Sequence, residues 1–565
     1  MNILGISCYY HDSSAVLIQN GKIVAAISEE RLSRRKHDNG FPKQSISWCL
    51  SWANLNMKDI DLIAFYEKPL VKFERVLAQH LETFPRGNKV FRENIPSWFS
   101  RKLKIKETLK KDFGYDKELW YIPHHLSHAA SAFYLSGFRK AAVVTIDGVG
   151  EWATTTTGMA NGTDIIVQQE IRFPHSLGLL YSAITAYLGF EVNDAEYKVM
   201  GYAAYGNPET YRDKFQQLIH VFPDGSFELN PIYFTYTWSD RMYNKKLEQL
   251  FGLPTRPKES GVQQNYADIA AGLQETLETA VISLLEATYK RYKTKNLCMA
   301  GGVALNSVMN GKLLSHTPFT NLYIPPDPGD AGGAMGAALY ASVKKSEFKT
   351  KNRFFPNLGP SYSSEQILSI LETFGLSYKK YESNEQLIET VSDHLVRQKV
   401  IGWFQGRMEW GPRALGFRSI LASAGKSEMK DIINAKIKHR ELFRPFAPVI
   451  LKEKVSEYFK TDVPLPESAK YMLCVYPFTK KGIRRVPATV HVDNTGRLQV
   501  IERDDNPLYY DLIREFWKKT GTPVILNTSF NVRGEPIVCT PRDAIECFLK
   551  TDIDYLVLGQ YIVSK

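Results

Sequence analysis

Hydrophobic positions near the start of the chain fall into three short runs that predict strands. They cover residues 2–7, 16–19 and 22–28. An acidic loop follows the first run, and Asn20-Gly21, a strong hairpin signal, separates the other two. The same order returns in residues 141–169, with an acidic loop at Asp147 and a turn at Asn161-Gly162. This repetition predicts a duplicated unit whose acidic loops face a shared cleft, although two unrelated hairpins would show similar turns.

Pro123 begins a segment that leads into the second repeat. Small and apolar residues after it predict a helix that reaches Gly137. His124 and His128 are four residues apart, so they share one face of that helix and can hold a divalent metal if a carboxylate joins them. Asp147, at the end of the next strand, is the candidate carboxylate. The alternative is a helix that binds no metal and whose histidines are solvated or capped.

Glycine-rich segments further along predict close contact between a ligand and the backbone. A strand at residues 297–300 meets Gly301-Gly302 just before a helix, and free N–H groups at such a junction attract anions. The junction is not a P-loop, because it lacks GKS or GKT at the required place. Asp330 precedes a helix of glycines and alanines, where it is either a further metal ligand or a helix N-cap.

A change of composition at residues 343–360, first charged and then rich in proline and glycine, predicts a connector between domains. Beyond it, the loop GRMEWGPRALGFRS carries Arg407, Arg413 and Arg418 between large apolar residues. We therefore expect these arginines to be partly buried. Buried guanidinium groups need anionic partners, and their fork of donors suits a phosphate.

Two later segments complete the pattern. A hairpin is predicted with its turn at residues 494–496, which places Arg497 at a strand start. Asn527 and Ser529 offer small polar groups at the end of another strand, suited to phosphate or ribose contacts. Thr540 and Asp543 flank a proline in the pattern of a helix N-cap.

Composition limits the class of protein. The 565 residues exceed what one hydrophobic core accommodates, so we expect two or three domains. A net charge of +11 favours anionic ligands, and the basic residues are not gathered into one nucleic-acid-binding tract. Six scattered cysteines without a CxxC pair argue against a zinc ribbon or a disulfide framework. With no secretory signal and no membrane-spanning apolar stretch, the sequence predicts a cytoplasmic protein.

Six segments in order carry a resemblance to a known family. They are GISCYYHDSSAVLIQNGKI, SEERLSRRKHD, PHHLSHAASAF with IDGVGE, EYKVMGYAAYG, GGVALN with DPGDAGGAMGAAL, and GRMEWGPRALGFRS with KIKHRELFRPFAP and LNTSFNVRGEPIV. Together they resemble the carbamoyltransferases of the nodulation-factor, cephamycin and aminoglycoside type, over essentially the whole chain. Each segment alone is weak, whereas six in order are highly specific.

For the fold, the resemblance implies two α/β domains. Residues 1–342 would form a duplicated domain of the actin-like, sugar-kinase (ASKHA) superfamily, with a metal site. Residues 343–360 would be the connector, and residues 361–565 a twisted α/β domain similar to the YrdC type. A homodimer is compatible with the resemblance.

For the activity, the resemblance implies an ATP-dependent O-carbamoyltransferase. Carbamoyl phosphate and ATP, with Mg²⁺, would give a carbamoyl-adenylate in the C-terminal domain. The N-terminal domain would pass the carbamoyl group to a hydroxyl of a small-molecule acceptor, such as a secondary metabolite or a glycan. No membrane or nucleic-acid partner is expected. The rival hypotheses are a small-molecule kinase or ATPase on the same duplicated fold, and a tRNA-modifying carbamoyl transferase, for which the positive net charge would suit RNA.

The resemblance also implies the site residues. Ligands of an iron or zinc ion would be His124, His128, Asp147 and Asp330. ATP and carbamoyl phosphate would be bound by Arg413, Lys438, Arg444, Arg497, Asn527 and Ser529. The adenylate in the N-terminal cleft would lie near Lys198, Gly301 and Gly302. Phe417 stands where the pattern leads us to expect Asn, and His125 is an alternative to His124 as a ligand beside His128.

A base must take the proton of the acceptor hydroxyl. Asp12 is our candidate, with His11 beside it as the second, and loop hydrogen bonding is an equal alternative for both. The acceptor pocket is predicted to be shaped by residues 207–264. Their aromatic side chains would either stack on the acceptor or simply pack.

Overall fold

The computed structural model describes residues 1–258, 260–347, 354–438, 441, 443–461 and 463–565. These residues form two compact units. The first unit comprises Met1–Glu29 and His37–Phe354, and the second comprises Glu30–Lys36 and Phe355–Lys565. Residues 348–353 of the predicted connector lie outside the described residues. The connector was predicted to begin at residue 343, but residues 343 and 344 belong to the helix Asp330–Lys344. No helix among the described residues is long and apolar enough to cross a membrane.

A five-stranded sheet surrounds the N-terminal strand of the first unit. In spatial order its strands are Lys22–Ser28, Ser14–Gln19, Asn2–Ser7, Leu62–Phe65 and Glu118–Tyr121. The first three strands are antiparallel and the last three are parallel. Asn20 and Gly21 both have positive φ, 49° and 71°, as the tight hairpin turn requires. The predicted hairpin is confirmed.

A second sheet repeats the first. In spatial order its strands are Asp164–Arg172, Ala153–Asn161, Lys140–Ile146, Asn296–Ala300 and Asn321–Tyr323. Chain order and strand directions are the same as in the first sheet. The predicted duplication, and with it the actin-like, sugar-kinase type of core, is confirmed, and it extends from three strands to five.

One helix follows the fifth strand of each sheet, and these two helices pack against each other. They are His124–Phe133 and Asp330–Lys344. A Cβ at Gly336 would collide with the carbonyl oxygen of Ser127, and one at Gly5 would collide with that of Ala334. Glycine at these positions therefore lets the second helix lie directly on the first helix and on the N-terminal strand. This close approach brings the two helix N-termini together.

The remaining helices of the first unit connect and cover the sheets. They are Lys43–Trp52, Pro69–Thr83, Asn88–Ser97, Ile105–Phe113, Leu177–Tyr187, Glu196–Ala203, Arg212–Leu218, Lys245–Phe251, Gln264–Tyr292 and Ser307–His316, with the short helix Glu29–Ser33 at the change of unit. A two-stranded sheet pairs Ile219–Val221 with Phe227–Leu229. A π-helical turn, Trp98–Lys102, lies between the helices Asn88–Ser97 and Ile105–Phe113.

The second unit contains a nine-stranded mixed sheet. In spatial order its strands are Tyr378–Lys380, Tyr561–Ser564, Tyr555–Leu558, Ile401–Phe404, Arg418–Ser423, Val524–Ser529, Ala447–Leu451, Thr495–Ile501 and Cys474–Pro477. Its helices are Ser364–Thr373, Asn384–Val396, Met429–Ile433, Val455–Tyr458, Lys480–Arg485, Pro507–Thr520 and Pro541–Lys550. The sheet with its helices confirms the expected α/β class. Thr540 and Asp543 form the predicted N-cap pair of the last helix.

The hairpin turn predicted at residues 494–496 is wrong, because Thr495 and Gly496 already belong to the strand Thr495–Ile501, although Arg497 does lie near the start of that strand. The strand Thr495–Ile501 pairs with the distant Cys474–Pro477 and, in parallel, with Ala447–Leu451. Residues just before the turn fold as the helix Lys480–Arg485 and a short 3₁₀ turn instead of a strand. A turn signal alone therefore did not identify the partner strand.

A short stretch of the N-terminal sequence, Glu30–Lys36, belongs to the second unit. Arg34 donates from its guanidinium to the carbonyl oxygens of Pro536 and Ile537, at 2.9 and 2.6 Å. Arg31 donates to the carbonyl oxygen of Gly411 at 3.0 Å. The local sequence pattern does not indicate that this stretch belongs to the second unit, because its arginines bind backbone atoms hundreds of residues away along the chain.

Candidate metal centre and substrate sites

The four predicted metal ligands converge in the first unit. His124 and His128 lie on one face of their helix, and Asp147 follows the strand Lys140–Ile146. Asp147 Oδ2 lies 3.0 Å from Nε2 of each histidine, and the two Nε2 atoms are 3.1 Å apart. Asp330 Oδ1 lies 3.8 Å from Nε2 of His124 and 3.6 Å from Nε2 of His128. All four side chains are buried.

These donor atoms fit one divalent ion. Nitrogen and oxygen ligands held about 2 Å from one metal lie roughly 3 Å from each other. The donor atoms of all four side chains lie within 4.8 Å of one another. Asp330 Oδ2 is buried and has no hydrogen-bond partner among the described residues, which is unusual for a buried carboxylate. Two imidazoles with two carboxylates suit zinc or iron(II) better than magnesium or calcium, which prefer oxygen ligands.

Two alternatives that the sequence left open are decided by this geometry. Asp330 is the first residue of its helix, and the N-cap position is occupied by Gly329. The carboxylate of Asp330 therefore faces the histidines and does not cap the helix. His125 has its Nδ1 2.6 Å from Thr145 Oγ1 and its Nε2 2.8 Å from the carbonyl oxygen of Ala153. Both of its ring nitrogens are thus occupied away from the cluster.

Charges within the cluster shift the pKa values of its members. Burial favours the neutral form of Asp147, but hydrogen bonds from His124 and His128 outweigh it and hold the pKa of Asp147 well below its usual value. Burial lowers the pKa of His128, but Asp147 and Asp330 overcome this and raise that pKa to about 9. Burial and the charges of its two histidine neighbours lower the pKa of His125 to about 3. The cluster therefore attracts positive charge at Nε2 of His128.

Two residues outside the predicted ligand set position the cluster. Glu151 accepts a hydrogen bond from the backbone N–H of His124 at 2.9 Å, at the helix N-terminus, where a carboxylate is favoured. A Cβ at Gly302 would lie 3.0 Å from Asp147 Oδ1, so glycine lets this backbone approach the carboxylate. Glu151 belongs to the segment IDGVGE. The role of Glu151 is not evident from the sequence, because its partner is a backbone group.

The glycine pair differs from the expected anion site. The N–H of Gly301 donates to the carbonyl oxygen of Pro328 at 2.8 Å, so it is not free. A 3₁₀ turn, Gly302–Leu305, comes next, and the helix begins only at Ser307, where Asn306 Oδ1 accepts from the N–H of Met309. The helix N-terminus is thus used by its own cap. The pair lies instead against the strand that ends in Asp147, since a Cβ at Gly301 would collide with Ile146.

Lys198, the third residue predicted to lie near the adenylate, is on the helix Glu196–Ala203. Its Nζ is 6.0 Å from the centre of the Phe190 ring. Lys198 thus lies on the helix that follows the loop of Asn193 and Asp194, and its contact with the adenylate stays a prediction.

A second cluster of histidines and carboxylates contains both candidate bases. Asp12 Oδ2 lies 2.5 Å from His11 Nδ1, and Asp12 Oδ1 lies 2.9 Å from His37 Nδ1. The other ring nitrogen of His11 is 2.5 Å from the carbonyl oxygen of Asn193, and that of His37 is 3.0 Å from Asp194 Oδ1. Asp12 is therefore held between two imidazoles. His37 and Asp194 were not predicted, although the segment SEERLSRRKHD contains the histidine.

This cluster has strongly shifted pKa values. Burial lowers the pKa of His11, but the hydrogen bond and the charge of Asp12 outweigh it and raise that pKa to about 10. The pKa of His37 is raised to about 9, because Asp12 and Asp194 outweigh its burial. The two histidines, acting against burial, lower the pKa of Asp12. At neutral pH Asp12 is therefore ionised and both imidazoles hold their protons.

In the second unit, strand alternation groups several predicted substrate-binding residues on one face of the sheet. Asn527 Nδ2 donates to Gln499 Oε1 at 2.7 Å. Arg497 and Ser529 are each two residues from one of these partners along a strand, so they share that face. Lys438 Nζ donates to the carbonyl oxygen of Ser529 at 2.6 Å and contacts its Oγ at 3.3 Å.

Arg413 lies in a loop that buried side chains hold in place. Asn527 Nδ2 donates to the carbonyl oxygen of the residue after Arg413, at 3.1 Å. Gln499 Nε2 donates to the carbonyl oxygen of Leu415 at 3.1 Å, and Glu409 Oε1 accepts from the N–H of Leu415 at 2.7 Å. Gln499 and Glu409 are additions to the predicted set. They fix the loop of Arg413 to the face that carries Arg497.

The expectation of anionic partners is wrong for Arg418. Its fully buried guanidinium donates to the carbonyl oxygens of Gln405 and Pro360, at 2.8 and 3.0 Å, and it has no ion pair within the described part of the chain. Burial lowers the pKa of Arg418 to about 10. Arg407 likewise donates to the carbonyl oxygen of Gly359 at 3.1 Å. Loop carbonyl groups thus accept hydrogen bonds from the terminal nitrogens of Arg418 in place of an anion.

Arg444, another residue predicted to bind ATP or carbamoyl phosphate, has its Nη1 3.6 Å from Glu441 Oε2. Phe417 is buried against Gly406. In residues 207–264, Phe234 is buried and stacks on Tyr236 with ring centres 5.6 Å apart. For this pair, packing is the alternative that the structure favours.

Comparison with known families gives one consistent assignment. Residues 2–339 match the model described as carbamoyltransferase N-terminus, and residues 392–565 match the model described as carbamoyltransferase C-terminus. The chain belongs to the carbamoyltransferase family. This confirms the resemblance carried by the six segments and the prediction of a transferase enzyme.

Relatives and solved structures share parts of this carbamoyltransferase. It is 37% identical to the nodulation protein NolNO of Sinorhizobium fredii over 99% of its own length and 79% of that protein. It is 39% identical to the nodulation protein NolO of Bradyrhizobium diazoefficiens over 78% of each chain. An uncharacterized protein of Synechocystis sp. is 46% identical over 100% of this chain and 97% of the relative. Component A of the (R)-2-hydroxyglutaryl-CoA dehydratase of Acidaminococcus fermentans matches with a TM-score of 0.33 and 16% identity, over 61% of this chain and 99% of that chain.

Proposed function

We propose that this carbamoyltransferase uses ATP to form a carbamoyl-adenylate in its second unit and transfers the carbamoyl group to a hydroxyl in its first. The observation that carries the proposal is the buried His–His–Asp–Asp cluster of the first unit, because a simple kinase on the same core has no use for it. A carbamoyl group is a poor electrophile, since its nitrogen donates into the carbonyl. A mixed anhydride with AMP supplies a good leaving group and gives a reason to consume ATP.

The second unit supplies cations for the phosphates. Arg413, Lys438, Arg444 and Arg497 would bind carbamoyl phosphate and the Mg²⁺ complex of ATP, with Asn527 and Ser529. Support comes from the shared sheet face and from the side chains that fix the loop of Arg413. Hydrolysis of carbamoyl phosphate would give carbamate and inorganic phosphate. Attack of a carbamate oxygen on the α-phosphate of ATP would then form the carbamoyl-adenylate and release pyrophosphate.

The first unit would carry out the transfer. A divalent ion, Fe²⁺ or Zn²⁺, held by His124, His128, Asp147 and Asp330, would act there as a Lewis acid. Lys198, Gly301 and Gly302 would lie around the adenylate. Asp12 would accept a hydrogen bond from the acceptor hydroxyl and take its proton during attack. The acceptor would be a small molecule, a secondary metabolite or a glycan.

Of the two candidate bases, Asp12 fits the geometry better than His11. With its pKa raised to about 10, His11 holds its proton at neutral pH and cannot accept another. Asp12 remains an anion between two imidazolium groups, and it can accept a hydrogen bond. The histidines then act as positioning residues that keep this carboxylate ionised and oriented.

Isotope exchange tests the proposal. The purified protein is incubated with ATP, Mg²⁺, carbamoyl phosphate and labelled pyrophosphate, without an acceptor. We expect label to enter ATP only when carbamoyl phosphate is present, because the adenylate forms reversibly. Arg413→Ala should abolish the exchange, whereas Arg397→Ala, which removes an exposed arginine of the same unit, should not. Cleavage of ATP to ADP without exchange would contradict the proposal and favour the kinase hypothesis.

A further inference from the structure

Three cationic side chains lie together inside the first unit, apart from the residues described so far. Lys72 and Arg75 are 3% and 7% exposed and share a face of the helix Pro69–Thr83, since they are three residues apart. Lys102 ends the π-helical turn that follows. The half-buried Lys102 has its Nζ 4.8 Å from the centre of the Trp98 ring, which lies 5.4 Å from the ring of Phe73, the residue after Lys72. In agreement with this placement, burial and the positive charges of Lys72 and Arg75 lower the pKa of Lys102.

Carboxylates balance this charge only in part, because Glu67 and Glu151 act on Arg75 without forming an ion pair with it among the described residues. Lys72 Nζ lies 2.5 Å from Oε2 of the buried Glu67. Among the described residues Arg75 has no ion pair, its Nη1 is 3.5 Å from Gln79 Oε1, and its buried Nε has no hydrogen-bond partner. Lys102 also has no ion pair within the described part of the chain, and its Nζ lies over an aromatic ring at 4.8 Å. Charge that is only partly compensated is costly to bury, so a buried guanidinium beside a half-buried ammonium, both without an ion pair among the described residues, is typical of a site completed by an anion.

Tyr10 separates these cations from the metal cluster. Lys72 Nζ lies 4.1 Å from the centre of the Tyr10 ring. The hydroxyl of Tyr10 is 3.7 Å from the place of a Cβ at Gly148, the residue after Asp147. Burial and the charges of Asp147 and Asp330 raise the pKa of Tyr10. The cations therefore adjoin the site where the proposed transfer takes place.

We propose that Lys72, Arg75 and Lys102 bind an oxyanion, a phosphate, sulfate or carboxylate, that is part of the hydroxyl-bearing acceptor. The inference rests on the proposed function and specifies the class of its acceptor. A doubly charged phosphate matches the two cations without carboxylate partners, and the guanidinium of Arg75 offers it a bidentate contact. The Lys72–Glu67 pair supports the site from one side. Acceptors without an anionic group would leave these charges unpaired and would be rejected.

Binding of inorganic phosphate to the full-length protein, measured by calorimetry, tests the site. Arg75→Gln and Lys102→Gln should each weaken this binding by about tenfold or more, the effect of losing a charged hydrogen bond. Arg86→Gln, which removes an exposed arginine shortly after the same helix, is the matched control and should bind as the wild type does. Arg413→Ala should also retain this binding event, because Arg413 belongs to the second unit. Equal phosphate affinity in the wild type and in Arg75→Gln would overturn the inference.

Thermal unfolding separates ligand binding from a structural role. Without phosphate, Arg75→Gln should melt at the temperature of the wild type or higher, because the substitution removes an unbalanced buried charge. Phosphate should raise the melting temperature of the wild type and of Arg86→Gln, and not that of Arg75→Gln. A lower melting temperature for Arg75→Gln without phosphate, combined with an unchanged response to phosphate, would show that Arg75 is structural and would refute the site.

The affinity for AMP shows whether the bound anion belongs to the acceptor or to the adenylate. AMP serves as the probe for the phosphate of the adenylate. Unchanged AMP affinity in Arg75→Gln, with lost phosphate binding, supports an acceptor anion, whereas AMP affinity that falls equally would contradict it. Arg75→Gln should also retain carbamoyl-phosphate-dependent pyrophosphate exchange. Absence of that exchange in the wild type would refute the proposed function and leave the phosphate measurements standing, so the two failures are distinguishable.

Discussion

Two clusters of histidines and carboxylates contain the side chains that we propose for the chemistry of the first unit. In the buried cluster, one oxygen of Asp147 faces two imidazole nitrogens, an arrangement that suits a metal. In the second cluster, the two oxygens of Asp12 each face a different imidazole, an arrangement that suits protons. The residue types were evident from the sequence for most of these positions. Which atoms face each other depends on contacts across the fold, and so His37 and Asp194 could not be predicted.

Replacement of Asp12 by Asn separates the two half-reactions. Asn keeps the size of the side chain but cannot take a proton, so transfer should fall by at least about a hundredfold, the lower range for loss of general base catalysis. Pyrophosphate exchange should be unchanged, because the second unit forms the adenylate. The measurement is release of AMP with glycerol 3-phosphate, a hydroxyl compound that also carries an oxyanion, as a surrogate acceptor. Unchanged acceptor-dependent release would remove Asp12 from the mechanism.

The same cluster predicts a pH dependence of stability. Folding raises the pKa of His11 to about 10 and that of His37 to about 9, from about 6.5 in the unfolded chain. The resulting stability is fully present below about pH 6.5 and is lost as the pH rises through these folded values. The free energy of unfolding in urea should therefore decrease from pH 7 to about pH 10, and less steeply in His37→Gln. The exposed His316→Gln is the control, and equal slopes in all three proteins would contradict the assignment.

Elements meet closely where the sequence has glycine. The helix Asp330–Lys344 contacts the helix His124–Phe133 at Gly336, where a Cβ would collide with a carbonyl oxygen. Gly336→Ala should therefore destabilise the protein by about 1–3 kcal/mol, the usual cost of overpacking, and should lower its metal content, since the two helices carry the ligands. Urea unfolding and metal analysis measure both effects. Gly261→Ala, at a position with open space, should change neither, and normal metal content in Gly336→Ala would contradict this role of the interface.

The element formed by residues 30–36 gives another prediction. Arg34→Gln removes two guanidinium hydrogen bonds to Pro536 and Ile537, so it should lower the free energy of unfolding by about 1–3 kcal/mol. Arg397→Gln changes the charge equally at an exposed position of the same unit and should cost much less. Urea unfolding of both variants makes the comparison. Equal losses would show that the contacts of Arg34 contribute nothing specific.

Local patterns allowed the elements to be predicted more fully than their partners. Asn20-Gly21 and the alternation around it located the first hairpin, because few residues other than glycine and asparagine adopt its turn. The strand at Thr495–Ile501 was expected near its turn and instead pairs with distant strands. Arg418 was expected to meet an anion and meets carbonyl groups, because sequence does not show which loop carbonyls remain available.

At the scale of the whole molecule, each unit contains one half of the proposed chemistry. The duplicated sheets of the first unit bring the ends of their strands and central helices to the cluster of His124, His128, Asp147 and Asp330. The second unit gathers cations and amides on one face of a single mixed sheet. Family membership covers both parts, residues 2–339 and 392–565. The division predicts that the two half-reactions can be removed independently.

Pyrophosphate exchange and metal content, measured together in paired variants, test this division most directly. Asp147→Asn, or Asp330→Asn if the first variant fails to fold, should lose the bound divalent ion and retain carbamoyl-phosphate-dependent exchange. Arg413→Ala should retain the ion and lose the exchange. Loss of exchange together with the metal in the folded carboxylate variants would contradict the assignment of adenylate formation to the second unit.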